Sequence, residues 1–152
     1  MAKTIRSQSQ LFFKIFSGDS VSTSRDYSRT QNKMRTNLNN LRTVYDTALG
    51  EIPNRVDALS LFSPAIIAME QLGYFFNTAA DSGVKTTLTK GETAPFIYFF
   101  EAMAQSIEQQ QLLETFDIPN IPRHPQIRQE INALQETLTL GLNQSAKQDK
   151  NE

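Results

Sequence analysis

The residues that could perform catalysis or bind a metal are few in this sequence. His124 is the only histidine, cysteine is absent, and Glu70, Glu101 and Glu108 lie in stretches with helical spacing. A catalytic site needs a nucleophile, a base and an orienting group, and a carboxylate-bridged metal bundle needs Glu-x-x-His pairs on two helices. Neither pattern occurs, and there is no phosphate-binding glycine loop. We expect no catalytic residue, no metal site, no cofactor and no enzymatic activity, with the glutamates at the surface and His124 in an exposed loop.

Charge is distributed unevenly although the net charge is only −1. Residues 1–55 carry a net charge of +5, and residues 56–152 carry −6. Either the basic half faces an anionic surface, or basic and acidic helices are neighbours in one fold. Nucleic-acid binding is not expected, because the isoelectric point is 5.9 and acidic residues balance the cations.

Cations recur at helical spacing between Ser24 and Pro53. Residues four apart share one side of a helix, so such a row can contact phosphates, lipid headgroups or another domain. The predicted membrane-proximal or interdomain basic face consists of Lys14, Arg25, Arg29 and Lys33. We predict that Arg35 and Arg42, further along the same helix, pair with acids of the other half.

The stretch that carries these cations is predicted to be the longest helix. It begins after the capping residues that end at Ser24 and runs to about Leu49, where Gly50 and Pro53 end it. Its apolar residues are spaced 7, 4, 3, 4 and 3 apart, which predicts a narrow stripe packed against other helices. That stripe consists of Tyr27, Met34, Leu38, Leu41, Tyr45 and Ala48.

A shorter aromatic helix is predicted over residues 3–17, with Gly18 as its stop. Its sequence LFFKIF could pack in the core, or it could lie at a membrane interface with the Lys14 side chain reaching toward headgroups. Core packing is the favoured interpretation. The predicted aromatic joint consists of Leu11, Phe12, Ile15 and Phe16.

Three more helices are predicted. One runs over residues 55–80, where Pro64 either kinks a single helix, the favoured interpretation, or separates two abutting helices. Residues 81–92 connect it to a helix capped by Thr93, which ends near Phe116. Residues 117–125 hold three prolines and are predicted to be an extended turn, after which Pro125 opens the last helix.

Long amphipathic helices without strand alternation predict an all-α fold, an antiparallel four- to five-helix bundle. The predicted division is an aromatic lead-in helix or joint at residues 1–18, a bundle domain at 19–147 and a frayed tail at 148–152. No apolar run approaches the ~20 residues of a membrane span, and no signal peptide is apparent, so the chain as given is expected to be soluble.

The order of these motifs resembles the soluble region that follows the membrane block in the fusaric-acid-resistance (FUSC-like) family of bacterial inner-membrane proteins. The resemblance covers roughly residues 11–110. It starts with LFFKIF and Gly18, continues through the Arg-rich helix to the break Ala48-Leu-Gly-Glu-Ile-Pro53, and includes Ala58-Leu59. The last motif that carries it is Ile67-Ala-Met-Glu-Gln-Leu-Gly73.

This resemblance implies a non-enzymatic helical domain of an exporter of aromatic acids or related compounds, on the cytoplasmic side of the bacterial inner membrane. It would serve assembly, regulation or partner contact. Expected partners are its own transmembrane region, a second copy of the chain and an anionic lipid surface. The lipid surface is expected because Lys and Arg concentrate on the cytoplasmic side of the membrane, where they attract anionic lipids. Two alternatives stay open: a free-standing helical adaptor or effector, and a bundle that binds small aromatic acids with Arg or Tyr inside a cavity.

Overall fold

A computed structural model describes residues 1–18, 24–51, 60–82 and 86–151. The described part of the chain contains five long helices and no strand, which confirms the all-α class. They are α1 (Ala2–Phe16), α2 (Ser24–Glu51), α3 (Ser63–Asp81), α4 (Lys90–Gln109) and α5 (Pro125–Lys150).

The helices pack as an antiparallel bundle in which α1 has a central position. The closest pairs are α1 with α4 and α3 with α5, and α1 also packs against α2 and α3. The direction of α4 relative to α1 follows from two contacts: Arg6 reaches Glu101, whereas Phe12, further along α1, lies against Phe96, which is earlier in α4. The contact between α4 and α5 is small, and α2 lies outside the other four helices, against α1 and α3.

The aromatic side chains of α1 form the centre of the core. Leu11, Phe12 and Phe16 are buried and Ile15 is partly buried, which confirms core packing for this segment. The ring of Phe12 lies 4.8 Å from the rings of both Phe16 and Phe96, measured between centroids. Residues 1–18 therefore share one core with the bundle and are not a separate lead-in element. Gly18, with φ +66°, ends the helix as predicted.

The long helix α2 buries the predicted stripe and leaves its remaining surface in solvent. Met34 and Tyr45 are buried, and Tyr27, Leu38 and Leu41 are partly buried against the core. A Cβ at Gly73 of α3 would lie 2.9 Å from Leu38 Cδ1, so this glycine permits the close approach of the two helices. The helix ends at Glu51 rather than Leu49. The predicted capping residues 19–23 lie outside the described residues.

The predicted kink at Pro64 and the predicted start of α4 are both wrong. Leu61 and Phe62 form a turn and α3 begins at Ser63, so Pro64 occupies a first turn, where proline costs no hydrogen bond, and kinks no helix here. The predicted residues 55–59 of that helix lie outside the described part. The start of α4 also differs, because Thr89 caps it instead of Thr93.

The cap of α4 is reciprocal: the Thr89 hydroxyl accepts from the Glu92 N–H at 3.2 Å, and the Glu92 carboxylate accepts from the Thr89 N–H at 3.1 Å. This capping box satisfies two N–H groups and therefore fixes the start one turn earlier than Thr93. Pro95 consequently lies in the second turn of the helix rather than in its first.

Two helix ends also differ from the prediction. α4 stops at Gln109, well before Phe116, because Gln110 adopts a left-handed conformation with φ 53°. The tail predicted to fray at 148–152 is helical through Lys150, and its last turn carries Lys147 and Lys150, whose charges suit a helix C-terminus.

An extended segment, residues 111–121, lies between α4 and α5 where these helices make little direct contact. Leu113, Ile118 and Ile121 of this segment are buried. The Gln135 side chain of α5 accepts from the Phe116 N–H at 2.7 Å and donates to the Phe116 carbonyl at 2.9 Å. The segment thus fills the space between α4 and α5 and contributes its buried side chains to the core.

Candidate functional site: the basic face of α2 and its flanks

The cations of α2 lie along two different edges of the helix. On the first edge, Lys33 Nζ donates to Gln10 Oε1 of α1 at 3.4 Å, so this side chain extends toward the outer face of α1. Arg29 and Arg25 precede Lys33 by one and two turns and therefore continue the same row. All three cations are exposed.

The second edge faces α3. Arg42 makes a bidentate ion pair with Glu70, with distances of 2.8 and 2.9 Å, which confirms that Arg42 pairs with the acidic half. Arg35 precedes Arg42 by seven residues and lines the same surface groove of about 320 Å³, together with Tyr74 and Asn77. Arg35 has no carboxylate partner within the described residues, so its predicted pairing stays a prediction.

The flank on α1 contains an exposed ring that the sequence analysis did not single out. Phe13 is 36% exposed, although its neighbours Phe12 and Phe16 are buried. It lies seven residues after Arg6, on the polar side of α1 that also carries Gln10. The helical spacing that identified the buried pair could also have placed Phe13 outside the core. Lys14, the fourth predicted basic residue, follows it and is half-buried.

The flank on α4 contributes a second exposed apolar residue. Ile97 is 38% exposed and lies one turn before Glu101, the acceptor of Arg6. Because α1 and α4 are antiparallel and Phe12 packs on Phe96, Phe13 and Ile97 lie at the same level of the bundle. The outer face of α1 is therefore bordered by the Arg25–Arg29–Lys33 row on α2 and by Ile97 on α4.

Two acids next to this face, Glu101 and Glu108, share one arginine, so their cluster keeps one net negative charge. Arg6 donates to Glu101 at 2.9 and 3.1 Å and also pairs with Glu108. Hydrogen bonds from Arg6 lower the pKa of both carboxyls from their ordinary 4.5, and the same bonds raise the pKa of Arg6. Glu101 and Glu108 were expected to be surface charges, and both side chains are about half exposed. Their contacts with Arg6 hold them on the α4 side of α1, whereas the cationic row lies on α2.

Replacing Arg6 by glutamine should reduce stability at neutral pH more than in acid. A carboxyl whose folded pKa lies below 4.5 contributes stability above that value and loses it as the pH falls through the folded pKa. The urea midpoints of the parent and of Arg6→Gln should therefore converge in acid. Lys3→Gln removes the same charge from an exposed position of α1 and serves as the control. A midpoint difference that is equal at neutral and acid pH would contradict this assignment.

The four residues predicted as an aromatic joint do not form a surface. Leu11, Phe12 and Phe16 lie inside the bundle and Ile15 packs partly against it. A contact between this segment and a membrane would therefore have to use Phe13.

His124 is not in a freely exposed loop position. It lies at the N-terminal boundary of α5, half-buried, with its ring 5.4 Å from that of Phe16 in an edge-on contact. Burial and the neighbouring Arg123 lower the pKa of His124. The adjoining pocket of about 410 Å³ is lined by Phe75, Thr78, Ala79, Ser82, Arg123, His124, Gln126 and Ile127. These side chains include no carboxylate that could orient the imidazole.

Metal binding requires a cluster of ligand side chains and membrane crossing requires a long apolar helix, and the described ranges contain neither. Within them, no three His, Cys, Asp or Glu side chains lie close enough together to hold a metal ion. None of the five helices combines the length and the apolar character that crossing a bilayer requires.

The chain is similar to part of a bacterial membrane protein. Over 106 residues it is 34% identical to the uncharacterized membrane protein YvaC of Bacillus subtilis strain 168. The aligned residues make up 68% of this chain but only 16% of the relative. No family model matches the chain. No solved structure matches it.

Proposed function

We propose that this chain is a non-enzymatic helical domain of a FUSC-like membrane exporter. It lies outside the bilayer on the cytoplasmic side of the bacterial inner membrane and serves assembly, regulation or partner contact in the efflux of aromatic acids or related compounds. The observation that carries the proposal is the similarity of two thirds of the chain to a small part of a membrane protein. That relationship is expected of a domain attached to, or derived from, a larger membrane-bound architecture.

Two features support the cytoplasmic position. The motifs from LFFKIF to Gly73 resemble the region that follows the membrane block in the FUSC-like family. The Arg25–Arg29–Lys33 row is exposed and unopposed by the acids of α4, and positive charge concentrates on the cytoplasmic side of bacterial inner membranes.

The genomic surroundings of the coding sequence test the proposal. We expect several apolar segments of ~20 residues, either in the same reading frame or in an adjacent gene. An in-frame deletion of residues 1–152 that leaves those segments intact should make cells more sensitive to fusaric acid, and expression of the chain should restore resistance. A locus that encodes no membrane protein, or unchanged sensitivity after the deletion, would contradict the proposal.

A second candidate function, a free-standing adaptor, is favoured by apolar residues on the outer side of α3. Ile67 is 50% exposed and Tyr74 is 64% exposed, and the two lie one heptad apart beside the groove between α2 and α3. An exposed apolar row of this kind suits a partner helix. The coding locus separates the candidates, because a free-standing adaptor needs no membrane protein encoded in the same frame or beside it.

A further inference from the structure

The outer face of α1 brings together two exposed apolar side chains and, along one side, a row of cations. Phe13 and Ile97 lie at one level, each more than one third exposed. The exposed row of Arg25, Arg29 and Lys33 runs alongside on α2, and Lys33 contacts Gln10 of α1. We name this surface the α1 face and define it by these five residues.

The composition of the α1 face matches one kind of partner. The phosphates of a nucleic acid could bind the cations, but they would not bury the exposed side chains of Phe13 and Ile97 beside them. A partner helix would require a groove, whereas here α1 lies between α2 and α4 as the middle of three adjacent helices. An anionic bilayer offers phosphates to the cations and an apolar layer to the rings at a depth of a few ångströms.

The acids of α4 near the face are held in contacts that do not involve the cations of α2. Glu101 and Glu108 are engaged by Arg6. Glu92 is engaged in the capping box of α4. Asp26 is the one acid within the row itself, so the stretch from Arg25 to Arg35 keeps an excess of cations.

We propose that the α1 face docks on the surface of an anionic lipid bilayer, with Phe13 inserted at the headgroup level and Arg25, Arg29 and Lys33 bound to lipid phosphates. The inference rests on the membrane location in the proposed function and adds the surface, the lipid class and the inserted residue. Each Lys or Arg at an anionic surface should raise the membrane partition coefficient roughly fivefold. Burial of the exposed part of Phe13 should raise it about tenfold more.

The absence of tryptophan from the sequence allows a direct test of insertion. Phe13→Trp places a single reporter on the α1 face, and Leu140→Trp places one at an exposed position of α5 as a matched control. With vesicles that contain phosphatidylglycerol, the emission of Phe13→Trp should shift to shorter wavelength and be quenched by brominated acyl chains. The emission of Leu140→Trp should stay unchanged, and vesicles of phosphatidylcholine alone should cause no shift at either position.

A pair of neutralised variants tests the cations. Arg25→Gln/Arg29→Gln should bind the anionic vesicles about thirtyfold more weakly than the parent in a sedimentation assay. Arg35→Gln/Lys147→Gln has the same net charge, but its substitutions lie on the α3 edge of α2 and near the end of α5, so its binding should fall only slightly. All four positions are exposed, and a thermal melt of each variant verifies that it folds.

Three results would overturn the inference: no binding to anionic vesicles, equal spectral shifts at residues 13 and 140, or equal losses in the two charge variants. These outcomes are independent of the locus and deletion experiments. If the deletion raises sensitivity to fusaric acid while the vesicle assays fail, the exporter proposal stands and the α1 face does not contact lipid.

Discussion

Replacing Phe12 by alanine should lower the free energy of unfolding by about 3–5 kcal/mol. The Phe12 side chain has no exposed surface, and its ring contacts the rings of Phe16, Phe76, Phe96 and Phe100. Removal of the ring leaves a cavity where α1, α3 and α4 meet, and residues held by several helices cannot easily close it. Urea unfolding followed by circular dichroism measures the effect.

The adjacent residue provides a matched control for this experiment. Phe13→Ala removes the same atoms from a position that is 36% exposed, so its cost should be well below that of Phe12→Ala. Equal losses at the two positions would mean that the aromatic core does not have the arrangement described above.

Replacing Gln135 by alanine should lower the free energy of unfolding by about 2–3 kcal/mol. Gln135 is 3% exposed, and its side chain satisfies both backbone groups of Phe116. Without it, a backbone N–H and a carbonyl of the extended segment lose their partners in a partly buried place. The Phe116 amide should then exchange with solvent faster than the amides of α5, which hydrogen exchange measured by NMR would show.

Glu136→Ala serves as the control, since Glu136 is exposed and its one hydrogen bond is with Asn132 of the same helix. Its effect should stay within about 0.5 kcal/mol. The role of Gln135 would be refuted if Phe116 kept its protection in Gln135→Ala, even if the variant were less stable overall.

Helical spacing alone was sufficient to identify the buried face of α2. Residues 3 and 4 apart form one stripe on any α-helix, so the burial of Met34 and Tyr45 follows from local geometry. The same reasoning placed Leu11, Phe12 and Phe16 in the core. It could not fix the start of α4, because Thr89 and Thr93 are both capable N-caps and the capping box with Glu92 decides between them.

The end of α4 shows where local reasoning fails. Residues 110–116 contain no proline or glycine, and nothing in their composition requires the helix to stop. The chain instead crosses to α5 and buries Leu113 and Ile118, because α4 and α5 leave a space that side chains must fill. The stability gained by this burial depends on α5, which begins only at Pro125. The end of α4 therefore cannot be predicted from residues 110–116 alone.

Some features of the basic face of α2 also follow from the sequence alone, whereas others depend on how the helices pack. The sequence by itself determined that Arg25, Arg29 and Lys33 share one side of a helix, because their spacing is a property of the helix. Only the tertiary structure decided which neighbour that side faces, through the contact of Lys33 with Gln10 and of Arg42 with Glu70. Rotation of α2 about its axis is set by its packing on α1 and α3, which no single stretch of sequence contains.

The exposed position of Phe13 was likewise decided by packing. The sequence placed three phenylalanines in five residues, and their number alone suggested one sticky surface. A core of fixed volume takes the two rings that point inward from α1, and the helix turns the third away from it. The sequence therefore determined a helical bundle with an aromatic first helix and a cation-rich second helix, and the tertiary structure decided that Phe13 is the phenylalanine of LFFKIF that stays exposed.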